Sequence, residues 1–152
     1  MPTLQQHFAM LTEKAAEDLL GALDNILPDK RDWSPGGTAR TAHDQVAEIA
    51  ILNGKTAELL KTKVMGPLDF EQFVKDKVAL AKDPHGMKRM LDQNTALVVK
   101  AIQEVPDADL SIVVEMPWGP MTISQIMGYP FWNMCYHEGQ INYIASILGT
   151  LP

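Results

Sequence analysis

The chain is short of cysteine, of basic charge and of long apolar runs, and each shortage excludes a class of protein. Cys135 is the only cysteine, so there is no internal disulfide and no CxxC redox pair. That fits a reducing compartment, and a cytoplasmic location is the expectation. A thiol without a partner, inside a helical apolar pattern, is expected to be a buried structural group. Lysine and arginine number 13 against 19 aspartates and glutamates, a net charge of −6, which argues against nucleic acid or an anionic membrane as a partner. No apolar run approaches the roughly 18 residues of a membrane span, and the N-terminus has no basic region followed by an apolar stretch. There is no Walker loop, no dinucleotide fingerprint, no Gly-x-Ser-x-Gly elbow, no repeat and no low-complexity tract.

What is present reads as one domain over residues 1–152, long enough to bury a sizeable core. Apolar residues recur at gaps of three and four in four segments. The first helix is expected over residues 3–26, with Leu4, Phe8, Leu11, Ala15, Leu19, Leu23 and Ile26 inward and Pro28 as its stop. A Pro/Gly loop follows at Trp33-Ser34-Pro35-Gly36-Gly37. Thr41 reads as the N-cap of a second helix running to about Lys63, with Asp44 in the place of a capping-box partner and Gln45, Ile49, Leu52, Leu59 and Leu60 in its stripe.

The stretch 64–84 holds a shorter helix around Phe70, Phe73 and Val74, and reads as a long crossover rather than a turn. The third bundle helix begins near Pro84 and carries Met87, Met90, Leu91, Leu97, Val98, Ala101 and Ile102 inward. Residues 107–121 are irregular or a short hairpin, because Pro117, Gly119 and Pro120 forbid a long strand. The last helix carries Ile123, Ile126, Met127, Phe131, Met134, Ile141, Ile144, Ala145 and Leu148, with Pro130 near its first turns or at a kink. The expected fold is all-α, a four-helix bundle with a long crossover between helices two and three.

One position breaks the last stripe. His137 stands between Met134 and Ile141, where a hydrophobe is expected, and a buried ring nitrogen needs a partner. Asn133 is one turn earlier on the same face. Glu48 lies on the second helix beside Ile49 and in line with Leu52, so packing of these two helices would bring it to His137. Imidazole and carboxylate form a workable first set of ligands for a divalent ion, with Asn133 a weak addition. Equally, a direct Glu48–His137 hydrogen bond would satisfy both groups with no metal. His43, in the first turn of the second helix and expected to face solvent, joins Trp132 and Gln140 as a candidate pocket residue. His7 and His85 are weaker candidates. Trp33, Trp118 and Trp132 either pack loops onto the bundle or line a pocket, and the nine methionines read as core filler.

Three features resemble the DinB-like (DinB/YfiT) superfamily of metal-dependent four-helix-bundle proteins. They are Trp33-Ser34-Pro35 before the second helix, Thr41-x-x-Asp44-x-x-x-Glu48-Ile49-Ala50, and Asn133-x-x-x-His137-Glu138-Gly139-Gln140-Ile141. The second is similar to the family's Ser-x-x-Glu-x-x-x-His-Ile-Ala, the third to its His-x-x-x-His-Arg-Gly-Gln-Ile. The resemblance implies a bundle over nearly the whole chain and a homodimer. It also implies a metal site at Glu48, Asn133 and His137, where the family's three histidines would stand, holding one divalent ion such as zinc or nickel. Relatives include thiol-dependent transferases and isomerases. The implied functions are a metal-dependent, thiol-linked transferase or hydrolase with an altered triad, or a bundle without metal that binds a small molecule or serves as a structural dimer. Which residues are catalytic, and on what substrate, the sequence does not say.

Overall fold

A computed structural model describes residues 1–152. Its elements are α1 (Leu4–Asp24), α2 (Ala42–Thr62), α3 (Phe70–Ala81), α4 (Pro84–Gln103), β1 (Val113–Met116), β2 (Gly119–Thr122) and α5 (Ile123–Leu148). Each helix starts where a side chain satisfies the free N–H groups of its first turn. Thr3 and Thr122 form reciprocal capping boxes with Gln6 and Gln125. Asp69 and Asp83 cap α3 and α4. Thr41 Oγ1 accepts from the Asp44 amide, but Asp44 does not reach back as the sequence pattern suggests; Arg40 and Lys77 take its carboxylate instead. Two cations attract a carboxylate more strongly than one backbone N–H does.

Helices α1, α4, α2 and α5 close a ring in that order, each packing on two neighbours. Asn94 bonds the Ala50 carbonyl and Asn53 bonds Thr95, so residue numbers rise together along α2 and α4 and the two helices run parallel. Gln45 and Asn53 of α2 reach His137 and Met134 of α5 in the opposite sense, so this pair is antiparallel. A parallel pair needs a return of a whole helix length, about 30 Å for 21 residues. Residues 63–83 supply it, with α3 laid along the way, and that is the crossover read from the sequence. α3 has no fully buried residue, and Phe70 is largely exposed.

The core has two parts. One joins Ala15, Leu19 and Ile26 to Val46, Ile49, Leu91, Ile141 and Ile144. The other joins Leu59 and Leu60 to Val98, Ile102, Val114, Ile123 and Met127 near the hairpin. Asn53, Thr95, Asn133 and His137 are buried polar residues among them. Leu4 and Leu97, expected inside, are exposed: Leu4 opens the first turn of α1, and Leu97 stands about 100° around α4 from Val98, off the face that Met87, Leu91 and Ile102 bury. β1 and β2 pair antiparallel, Val113 opposite Thr122, through the two-residue turn Pro117-Trp118, and Gly119 directly after it has positive φ. Pro130 sits within α5 without ending it. No helix is long and apolar enough to cross a membrane.

Candidate functional site

The polar centre is built where α2 meets α5. His137 is 2% exposed and both ring nitrogens are engaged. Nδ1 lies 2.9 Å from Gln45 Oε1 and Nε2 lies 3.2 Å from Glu48 Oε1. The Gln45 amide turns its NH2 toward the Arg40 carbonyl, 3.5 Å away, and this sets its oxygen toward the imidazole. Nδ1 therefore donates. The second oxygen of Glu48 accepts from Arg40 Nη2 at 2.8 Å, and Lys77 Nζ stands 3.9 Å away. Arg40 and Lys77 also both bind Asp44. Burial by itself pushes the Glu48 carboxyl up, but the hydrogen bond from His137 and the charge and hydrogen bond of Arg40 outweigh it. The net effect is a pKa lowered to about 2.

Glu48 also forms part of the wall of a cavity of about 450 Å³ between α2, α3, the hairpin and the start of α5. Most of its lining is apolar, including Leu52, Phe73, Trp118 and Ile126. Tyr129 closes the side toward Glu48, and its phenol is pushed above its ordinary pKa by burial and by the charge of Glu48. It therefore stays neutral and able to donate.

The sequence candidates separate. Glu48 and His137 meet. Asn133 is buried beside them but bonds neither, and its Nδ2 has no partner. His43 does not face solvent; it is buried, with Nδ1 3.0 Å from Asp32 Oδ1, and fastens the loop before α2 rather than entering the cavity. The loop folds back over the first turn of α2, as the bond from the His43 amide to the Arg31 carbonyl shows, and this removes the ring from water. Gln140 is half-buried and outside the cavity wall. Trp132 lines an adjoining open groove with Trp118 and Tyr129, not the Glu48 cavity itself. Trp33 packs on the core, while His7 and His85 are exposed. Cys135 is on the surface, not buried, because it falls on the outward side of α5.

Gln45, Arg40 and Tyr129 are the participants that the sequence reading did not single out. Gln45 carried a signal, since an amide in an apolar stripe needs a partner as much as an imidazole does.

The donor set does not fit a resident divalent ion. No three residues among His, Cys, Asp and Glu gather at one point. Zinc takes at least three protein ligands, and only Glu48 and His137 are strong donors here. Both Glu48 oxygens are occupied, one by a guanidinium whose fixed charge would repel an incoming cation.

Comparison with known proteins adds the fold. Neither models of protein families nor curated proteins give a match. A solved structure, described as "YfiT from Bacillus subtilis is a probable metal-dependent hydrolase with an unusual four-helix bundle topology", superposes with a TM-score of 0.81. The match covers 95% of this chain and 87% of that chain at 15% sequence identity. At that identity the likeness is one of architecture: this chain has the YfiT-like four-helix-bundle fold, the fold that its DinB-like motifs implied.

Proposed function

We propose that this protein is a metal-free bundle that binds a small, largely apolar molecule in the cavity between α2, α3, the hairpin and α5. The observation that carries the reading is the pairing of Arg40 with Glu48, 2.8 Å apart at the position of a family metal ligand. A guanidinium here supplies the positive charge that an ion would bring, so the carboxylate is satisfied without one. Beside it the cavity, about 450 Å³ and lined mostly by hydrophobic residues, has the size and character of a small-molecule site. The neutral Tyr129 hydroxyl offers one directed donor to a ligand carbonyl or ether.

A metal-dependent hydrolase or thiol-linked transferase with an altered triad is the second reading. One observation favours it: Gln45 takes up Nδ1, which leaves Nε2 as the ring nitrogen turned toward Glu48, the arrangement of a ligating histidine whose other nitrogen is held by an acceptor. Elemental analysis of protein purified without a nickel column separates the two. The first reading expects far less than one ion per chain. It also expects an apolar fluorescent probe such as anilinonaphthalene sulfonate to bind at one site, and Leu52→Trp, which fills the cavity, to abolish that binding. A stoichiometric ion retained through dialysis, or probe binding indifferent to Leu52→Trp, would overturn it.

A further inference from the structure

α2 gives the apolar cavity one continuous stripe. Glu48, Leu52, Lys55, Thr56 and Leu59 follow at intervals of three and four, and all of them line it. Lys55 and Thr56, neighbours in the chain, are the two hydrogen-bond donors of the stripe. Lys55 is also the only cation in the lining. Exposed lysines on other helices pair with a carboxylate one turn away, as Lys14 does with Asp18, Lys88 with Asp92 and Lys100 with Glu104. Lys55 pairs with none, although Glu58 follows it on the same helix. Its Nζ stands instead 5.6 Å from the centroid of Phe73, itself part of the cavity wall. Thr56 is 7% exposed, and its hydroxyl makes no hydrogen bond within the protein. That oxygen is not sealed into the core as Thr12 Oγ1 and Asn133 Nδ2 are, so it is open to the cavity that Thr56 lines.

We propose, resting on the reading of the cavity as a small-molecule site, that its ligand is an amphipathic carboxylic acid bound as the anion. The carboxylate is held by Lys55 and Thr56, and the aliphatic or aryl body lies along Leu52 toward Tyr129. A carboxylate has acceptors for both donors at once, one oxygen for the ammonium and one for the hydroxyl. From Lys55 back to Glu48 is seven residues of helix, about 10 Å, which leaves room for an apolar chain between the two polar ends of the stripe. Burying that chain against Leu52, Phe73 and Ile126 supplies the rest of the affinity.

The two acidic residues of the wall do not favour a cationic ligand in its place. Both oxygens of Glu48 are taken, one by His137 and one by Arg40. Asp69 accepts from the Gln72 amide as the N-cap of α3, where the positive end of that helix offsets its charge. A neutral ligand of the same shape forgoes the charge-assisted bond to Lys55.

Isothermal titration calorimetry on the full chain at neutral pH compares octanoate, octan-1-ol and octylamine, which share a tail and differ in the head group. Octanoate should bind at least about tenfold more tightly than the alcohol or the amine. Lys55→Gln should remove that advantage and leave the affinity for octan-1-ol unchanged, while Lys55→Arg should keep most of it. Thr56→Val, which replaces the hydroxyl with a methyl, should weaken octanoate severalfold. Lys55 is exposed and belongs to no ion pair, so Lys55→Gln should leave the helical circular dichroism unchanged. Equal binding of acid and alcohol overturns the carboxylate and leaves the cavity as a small-molecule site. A preference for octylamine does the same, as does a preference for octanoate that survives Lys55→Gln. Binding of none of the three also overturns it. Anilinonaphthalene sulfonate then tells the two failures apart: probe binding that Leu52→Trp abolishes keeps the cavity, and probe binding indifferent to Leu52→Trp removes both.

Discussion

Gln45 and His137 hold each other across the α2–α5 contact, the amide oxygen 2.9 Å from Nδ1, in a part of the core where neither is exposed. The bond fixes the orientation of the ring, with Nδ1 donating to the amide and Nε2 turned to Glu48. Removing the acceptor leaves a buried N–H with no partner. Gln45→Leu is expected to destabilise the fold by about 1–3 kcal/mol. In urea the midpoint should fall while the slope stays constant. A midpoint equal to that of the parent would mean that the bond contributes nothing to stability.

The state of Glu48 gives the acid side of the stability profile. Its folded pKa is lowered from 4.5 to about 2, so the unfolded chain binds the proton more readily. The stabilisation is therefore complete above 4.5 and is lost as the pH falls from there through about 2. With 19% of the side chain exposed and solvent screening part of the interaction, the loss is on the order of 1–2 kcal/mol. Glu48→Gln should flatten that part of the curve. Identical acid curves for the two proteins would show that other carboxylates govern it.

The unfit metal site can be tested by rebuilding it. Glu48→His and Asn133→His place imidazoles at the two positions where the resembling family has them, and Arg40→Ala removes the competing cation. Three nitrogens with an open fourth position suit zinc. Added zinc should raise the melting temperature of the triple variant and leave the parent unmoved. Equal shifts in both would mean that the parent already holds an ion, and equal silence would mean that the three positions do not converge.

Gly54 on α2 lies against the Asn94 side chain of α4. A Cβ there would come within 2.7 Å of the Asn94 amide nitrogen, which itself donates to the Ala50 carbonyl at 2.7 Å. Gly54→Ala gains helix propensity of up to about 1 kcal/mol but must displace Asn94 from that bond. The net expectation is destabilisation of about 1–2 kcal/mol. Pairing it with Asn94→Ala should recover part of the loss, because the clash disappears with the side chain. A Gly54→Ala chain more stable than the parent would show that Asn94 moves without cost.

Much of this was legible in the order of the residues. The four bundle helices, the Thr41 cap and the crossover followed from apolar spacing and from where Pro, Gly and Thr fall, while the caps at Thr3, Asp69, Asp83 and Thr122 came only with the structure. These are local properties, set within a turn or two of chain. His137 stood out because one imidazole in an apolar stripe contradicts its surroundings. Glu48 was placed beside it by the assumption that α2 packs on α5, which the fold satisfies.

What the spacing could not supply was the identity of the third and fourth parties. Arg40 lies two turns before Glu48 and Lys77 on a different helix, and nothing local says that both converge on one carboxylate. Whether Glu48 meets a metal or a guanidinium depends on distances of a few ångströms between separate helices. In the same way, His43 is buried only because a loop folds back over it, and Cys135 is exposed only because no element covers that side of α5. Periodicity fixes which residues share a face. Which faces meet, and so which charges cancel and which surface is left uncovered, is decided by long-range packing, because Coulomb energy and burial depend on separation in space and not along the chain.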